Sequence, residues 1–132
     1  MAAILVVDDE VEVGEAIRSV LERAGLTVTV VTGAAAALTE VERRLPAVVV
    51  TDVIMPKMHG IELIRTLRQR HPQIRLIAIS GGGSFGPLAY KPDAISTHAF
   101  LAAARDAGAD EMLTKPFDLE ELLAAVRRQL PN

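Results

Sequence analysis

Ala3-Ile-Leu-Val-Val7, running straight into Asp8-Asp-Glu10, decides the fold. A strand with one wet face alternates apolar and polar residues, whereas this run has no polar position at all. Such a run reads as a strand buried on both faces, which is the condition of a parallel sheet covered by helices above and below. The abrupt change to three acids marks its carboxyl end. The same pattern recurs four times. Leu26 to Val31 reads as a second strand, and Ala47-Val-Val-Val50 as a third that leads into Thr51 and Asp52. Ile74 to Ile79 reads as a fourth, ending at Ser80, and Glu111 to Thr114 as a fifth, entering Lys115-Pro116.

Helical stripes fill the intervals. Ile17, Val20, Leu21 and Ala24 fall on one face, and Gly25 closes that helix. Ala34, Ala37, Leu38 and Val41 form a second stripe, ending before Pro46. Ile61, Ile64, Leu67 and Arg68 form a third, stopped by His71-Pro72. A fourth helix is expected around Ile95 to Ala107, closed by Gly108. A fifth carries Leu119, Leu122, Leu123 and Val126, with Asp118 as its cap and Glu121 three residues on. Strands alternating with helices imply an α/β fold, a doubly wound parallel sheet with helices on both faces. Gly81 to Asp93 is the least regular stretch and reads as an extended loop at about 81–94 within a single domain, 1–132.

Composition agrees and removes several function classes. Half of the 132 residues are apolar, but there is one Tyr, three Phe and no Trp, so the core must be aliphatic. A net charge of -3 does not fit a nucleic-acid footprint. The densest basic stretch, Arg65 to Arg70, reads as a solvated helix face. The absence of cysteine excludes disulfides and thiolate chemistry. His59, His71 and His98 are dispersed, without metal-ligand spacing, and read as surface or loop residues. No apolar run is long enough for a signal peptide or a membrane span, so no membrane partner and a cytoplasmic location are expected.

The chemistry collects at strand ends. Asp8 and Asp9 follow strand one, Asp52 strand three, Ser80 strand four and Lys115 strand five. In open parallel sheets, ligands bind beyond those carboxyl ends. If strands one and three are neighbours, the carboxylates converge and call for a cation; a hard ion such as Mg²⁺ suits carboxylates and water. A lone Asp or Ser at such a place is often only a helix cap, but capping does not require this combination of types. A carboxylate can form an acyl phosphate, and Lys115 and Ser80 supply charge and a hydroxyl to phosphoryl oxygens. Gly81-Gly-Gly83 lacks the Gly-Lys-Ser/Thr continuation of a phosphate cradle.

Four stretches in order carry a resemblance: Ile4-Leu-Val-Val-Asp-Asp-Glu10, Asp52-Val-Ile-Met-Pro-Lys-Met-His-Gly60, Ile79-Ser80-Gly81 and Leu113-Thr-Lys-Pro-Phe117. Together they make the chain resemble, end to end, the receiver domain of two-component response regulators. The resemblance implies five strands in the flavodoxin-like order 2-1-3-4-5. It implies that Asp52 accepts phosphoryl from a phosphohistidine of a sensor histidine kinase or histidine phosphotransferase, and that the domain then signals to a downstream protein. By the same match, Asp9, Asp52 and the Ile54 backbone carbonyl would ligate Mg²⁺, with Asp8 acting mainly through water. Ser80 would be the switch hydroxyl, Lys115 the lysine of the motif, and Lys115-Pro116 a cis peptide. Two departures stand out. Met112 occupies the place of the usual aromatic switch residue, and the stretch from Ser80 to Gly108 is longer than the family pattern. Other readings are an excised receiver of a larger regulator or hybrid kinase, a pseudo-receiver, and an aspartyl-phosphate phosphatase. The last usually has a general acid two residues after the nucleophile, where this chain has Ile54.

Overall fold

The computed structural model describes residues 3–53, 60–80, 102–114 and 117–131. The expected loop at 81–94, the Ile54 carbonyl and the Lys115-Pro116 peptide lie outside them. The described chain runs β1 (Ala3–Val7), α1 (Val11–Arg23), β2 (Thr27–Val31), α2 (Ala34–Arg43), β3 (Val48–Asp52) and α3 (Gly60–Arg70). There follow β4 (Arg75–Ser80), helical residues 102–107 (α4), β5 (Glu111–Thr114) and α5 (Leu119–Gln129). The strands are parallel and ordered β2-β1-β3-β4-β5, as the resemblance implied.

Continuous apolar runs make two cores, because successive residues of a strand point to opposite faces. Leu5, Val7, Val49, Leu76 and Ala78 meet α2, α3 and α4 through Ala37, Val41, Leu63, Leu67 and Ala104. Ile4, Val6, Val48, Val50, Ile77 and Ile79 meet α1 and α5 through Ile17, Leu21, Leu122 and Val126. The helix ends follow the sequence signals. Gly25 takes φ 91° after α1, and the Asp118 carboxylate accepts the Glu121 N–H at 3.2 Å. No helix among the described residues is long and apolar enough to cross a membrane.

Three boundaries move from where the sequence placed them. Leu26 belongs to the turn, its N–H bound to the Leu21 carbonyl at 3.1 Å, and β2 starts at Thr27. Ile74 likewise closes a turn on His71 at 3.0 Å, and β4 starts at Arg75. Most consequentially, Thr51 and Asp52 are the last residues of β3, because the β4 ladder carries on to the pair Asp52–Ile79.

Arg68 departs from the solvated role read for its basic stretch. Its Nε and Nη2 donate to the Gly108 carbonyl at 3.1 and 2.8 Å. Nη1 donates to the carbonyls of Pro72 and Ile74 at 2.7 and 3.1 Å, and Nη2 to Asp110 Oδ2 at 2.6 Å. All five N–H groups are thus used. Gly108 permits this with φ 124°, and a Cβ there would lie 2.8 Å from Arg68 Cγ. Asp110 Oδ2 also accepts the Leu76 N–H at 2.8 Å, so one ion pair ties α3, the start of β4 and the entry to β5. Exposed ion pairs contribute little, but this one replaces solvent at carbonyls that have turned inward. Arg68→Met, which keeps the stem, is expected to cost about 2–3 kcal/mol because several charge-assisted bonds go together. Urea unfolding measures it, and a loss below about 0.5 kcal/mol would show that water replaces the guanidinium freely.

Candidate functional site at the carboxyl ends of the strands

Register places the polar residues in one row. Val7 pairs with Thr51, Thr51 with Ala78, and Ala78 with Met112. One step further, Asp8 leaves β1 beside Asp52, the end of β3. One more step brings Ser80 opposite Thr114, immediately before Lys115. Strand pairing therefore sets Asp8 and Asp52 at adjacent exits of the sheet.

The first turn after β1 is held by its own acids. The Asp8 N–H still bonds the Val31 carbonyl at 3.1 Å, and the Asp8 carboxylate accepts the Glu10 N–H at 2.9 Å. Asp8 is 1% exposed, while Asp9 is exposed and Glu10 half-buried. Asp8, Asp9 and Glu10 each offer an oxygen, all within 4.8 Å of one another. Sequence reasoning put Asp8, Asp9, Asp52 and the Ile54 backbone carbonyl in the metal set, the last of which lies outside the described residues. In this structure Glu10 completes the carboxylate group, and Asp52 is not one of its three. Glu10 was legible as the third acid after β1, but its folding back over Asp8 was not.

Asp52 is 6% exposed and Thr51 fully buried. The Thr51 hydroxyl donates to the Asp52 carbonyl at 3.0 Å. The next residue continues the anchoring: the Val53 N–H bonds the Ile79 carbonyl at 2.8 Å, and its own carbonyl accepts the Gly60 N–H at 2.9 Å. Helix α3 therefore starts directly on the backbone that carries Asp52. A Cβ at Gly60 would fall 2.0 Å from the Asp52 carbonyl oxygen and 2.7 Å from Val53 Cα. In the sequence Thr51 follows the third apolar run and Gly60 ends the Asp52 motif; their part in fixing Asp52 is visible only in three dimensions.

The donor set fits a hard divalent cation. The Asp8-Asp9-Glu10 group is all oxygen and anionic, and Asp8, together with Asp52 at the neighbouring strand exit, is almost wholly removed from water. Buried carboxylates are costly unless a cation, a proton or hydrogen bonds offset them. Of the remaining residues named from sequence, Ser80 ends β4. Met112 is half-buried in β5 against the core beneath α3 and α4.

A family model described as "Response regulator receiver domain" matches residues 4–127. The response regulator protein TodT of Pseudomonas putida is 36% identical over 129 residues, covering 98% of this chain and 51% of TodT. The response regulator MprA of Mycobacterium leprae is 36% identical over 127 residues, covering 96% of this chain and 50% of MprA. The chain thus spans about half the length of these curated relatives. The crystal structure of the receiver domain of NtrX from Brucella abortus superposes with a TM-score of 0.82 at 26% identity. That match covers 96% of this chain and 97% of the NtrX domain.

Gly60→Ala tests the close approach of α3 to Asp52. The added methyl meets backbone on two sides, so the helix start or the strand end must shift. The expected loss is about 3 kcal/mol or more, at the upper end of overpacking effects. Thermal or urea unfolding reads it, and a variant of unchanged stability would mean that α3 does not sit on Asp52 as described.

Proposed function

The chain belongs to the response regulator receiver domain family, and we propose that it is a Mg²⁺-dependent phospho-acceptor switch with Asp52 as the acceptor. Receiver domains are signalling switches rather than turnover enzymes. The observation that carries the reading for this chain is the adjacency of Asp8 and Asp52 at neighbouring strand exits, both almost fully buried.

In the proposed reaction an Asp52 carboxylate oxygen attacks the phosphorus of a phosphohistidine on a sensor kinase or phosphotransferase. The O–P bond forms as the P–N bond breaks, and the ring nitrogen keeps the bonding pair, leaving as neutral imidazole with a proton on its other nitrogen. The Asp52 backbone is held by Thr51 and by the start of α3, so the carboxylate needs little reorganisation to meet an in-line donor. Asp9, Asp52 and the Ile54 carbonyl, with Asp8 through water and Glu10 as a further acid, are the residues that would hold Mg²⁺. The ion, when bound, offsets charge on the phosphoryl oxygens. Lys115, following β5, would contribute its ammonium, and the Ser80 hydroxyl would donate to a phosphoryl oxygen. Met112, packed beside α4, would refill the space vacated as Ser80 moves; a thioether suits this because it is unbranched and adaptable. The segment 81–107 is the proposed output, since Ser80 feeds it directly. Its downstream partner would be a protein.

Two experiments test the reading. Incubated with Mg²⁺ and acetyl phosphate, the chain is expected to gain one phosphoryl mass, and Asp52→Asn to gain none. Equal labelling of the two would remove Asp52 as acceptor. Lys115→Ala is expected to keep the fold but lose about a hundredfold in phosphorylation rate or in phosphorylation-dependent binding, the scale of losing one electrostatic contact at a transferring group. Normal behaviour in both assays would end the role given to the lysine.

A further inference from the structure

The opposite end of the sheet is shaped and charged differently. An open cleft of about 1020 Å³ lies where β1, β2, β3 and β4 begin. Its walls include Arg44, Leu45 and Pro46 from the α2–β3 connection, Arg75 at the start of β4, and Arg128 and Leu130 at the end of α5. Among the described residues three arginines line it and no Asp or Glu does.

Two of these guanidiniums are held in place from behind. Arg75 Nε donates to Gln129 Oε1 at 3.0 Å, and its Nη1 is 3.9 Å from Asp110. Arg128 Nε donates to Glu111 Oε1 at 2.8 Å, with Nη2 on the same oxygen. The other Glu111 oxygen accepts from Gln129 Nε2 at 2.8 Å, which locks the amide between the two arginines. Arg75 Nη2 and Arg128 Nη1 take no part in these bonds. Arg44 is exposed, and among the described residues its guanidinium makes no hydrogen bond: the nearby Glu40 carboxylate, which the Arg44 charge also stabilises, accepts from Arg43 at 2.7 Å. Leu45 is 46% exposed beside it.

The chain carries the complement of this cleft at its other pole. Val11, the first residue of α1, is 59% exposed between Glu10 and Glu12, with Asp9 just before. Val11 and Leu45 are the two large apolar residues exposed among those described, one in an acidic setting and one in a basic setting. We propose that the cleft is an interaction surface for a second copy of this chain, which inserts its acidic pole head to tail, Glu12 toward Arg44 and Val11 against Leu45. Nucleic acid fits less well, since no aromatic among the described residues lines the cleft for a base to stack on and the chain is net negative. A membrane surface fits less well, since a single exposed Leu offers little apolar area.

The two surfaces differ, so the contact is heterologous and does not close on itself; each added copy leaves one cleft and one acidic pole open. A contact made by a few side chains on each copy is of the small, transient class, which buries less than roughly 1,200 Å² and is driven by mass action. Because it is electrostatic between exposed groups, salt dissolves it. It needs no phosphoryl group and no metal.

Sedimentation velocity of the full chain with chelator present, over a rising concentration series, tests this. Apparent mass is expected to climb with concentration at about 0.01 M salt and to stay monomeric at about 1 M, where the Debye length falls from roughly 30 Å to roughly 3 Å. Arg44→Glu alone and Glu12→Arg alone each weaken association by about tenfold or more, because like charges then face each other. An equimolar mixture of the two variants regains it, since every pole again meets an opposite charge. Urea midpoints confirm that both exposed substitutions leave the fold intact. A chain that stays monomeric at low salt overturns the proposal, as do variants that associate like the parent or a mixture that fails to recover. A monomer that gives Arg44-dependent binding of polyglutamate assigns the cleft to an acidic partner and overturns the second copy.

Discussion

β3 is enclosed on four sides: β1 and β4 flank it, helices cover both faces, and all five of its residues are buried, Asp52 included. That enclosure governs the rest of the architecture. The backbone groups of β3 are satisfied by its neighbours, so the ladder can run to the very edge of the sheet and carry a carboxylate there with almost no water around it. Such a charge is tolerable only beside other groups that share a cation or donate hydrogen bonds. Parallel pairing supplies them automatically, because the register that buries Val7 opposite Thr51 also delivers Asp8 beside Asp52. Packing and chemistry are two results of one alignment, and a register slip in β1 would abolish both together.

The same alignment separates charge along the strands. The acids of the site gather where β1 and β3 end, whereas at the strand starts arginines accompany the acids Asp110 and Glu111, about 15–20 Å away for strands of this length. At the carboxyl pole the backbone is fixed by small residues and a hydroxyl, Gly60 and Thr51, which leaves the carboxylates room. At the opposite pole it is fixed by long cationic side chains that reach across gaps between elements, Arg68 above all. The difference is physical: a site for an incoming group needs open space in front of it, whereas a junction of three elements needs something to fill the space.

How much of this the sequence shows depends on the range of the interaction involved. The strands and most helix ends were legible because they rest on local signals, such as the unbroken run Ile4 to Val7, the Asp118 cap and Gly25. Sheet order followed from the motif resemblance rather than from any pattern in the strands. Boundaries were misplaced by a residue or two, at turns where a local hydrogen bond claims the first apolar residue, as with Ile74 on His71, and where the deciding bond is made to another element, as with Asp52 in the β4 ladder. The acids of the site could be named from their positions after strands, but not the way Glu10 joins Asp8 and Asp9. Arg68 was misread for the same reason. Its partners Gly108 and Asp110 are some forty residues away, and a charge on a helix face looks solvated until the chain returns to it. The roles of Lys115 and Ile54 lie beyond the described residues and rest on the motif.

Seen as polymer rather than as protein, the Arg68 junction has a further meaning. It sets one fixed post at Gly108, and the β4–β5 ladder sets the other at Ser80, opposite Thr114. Ala104 and Ala107 are packed in the core, so only chain length outside α4 acts mainly through loop closure, where doubling the length costs merely about 0.6 kcal/mol. Insertions outside α4 are therefore expected to leave the register of β5 unchanged. A fold built this way can trial new lengths and compositions in one segment while the sheet, and the acids at its edge, stay where they are.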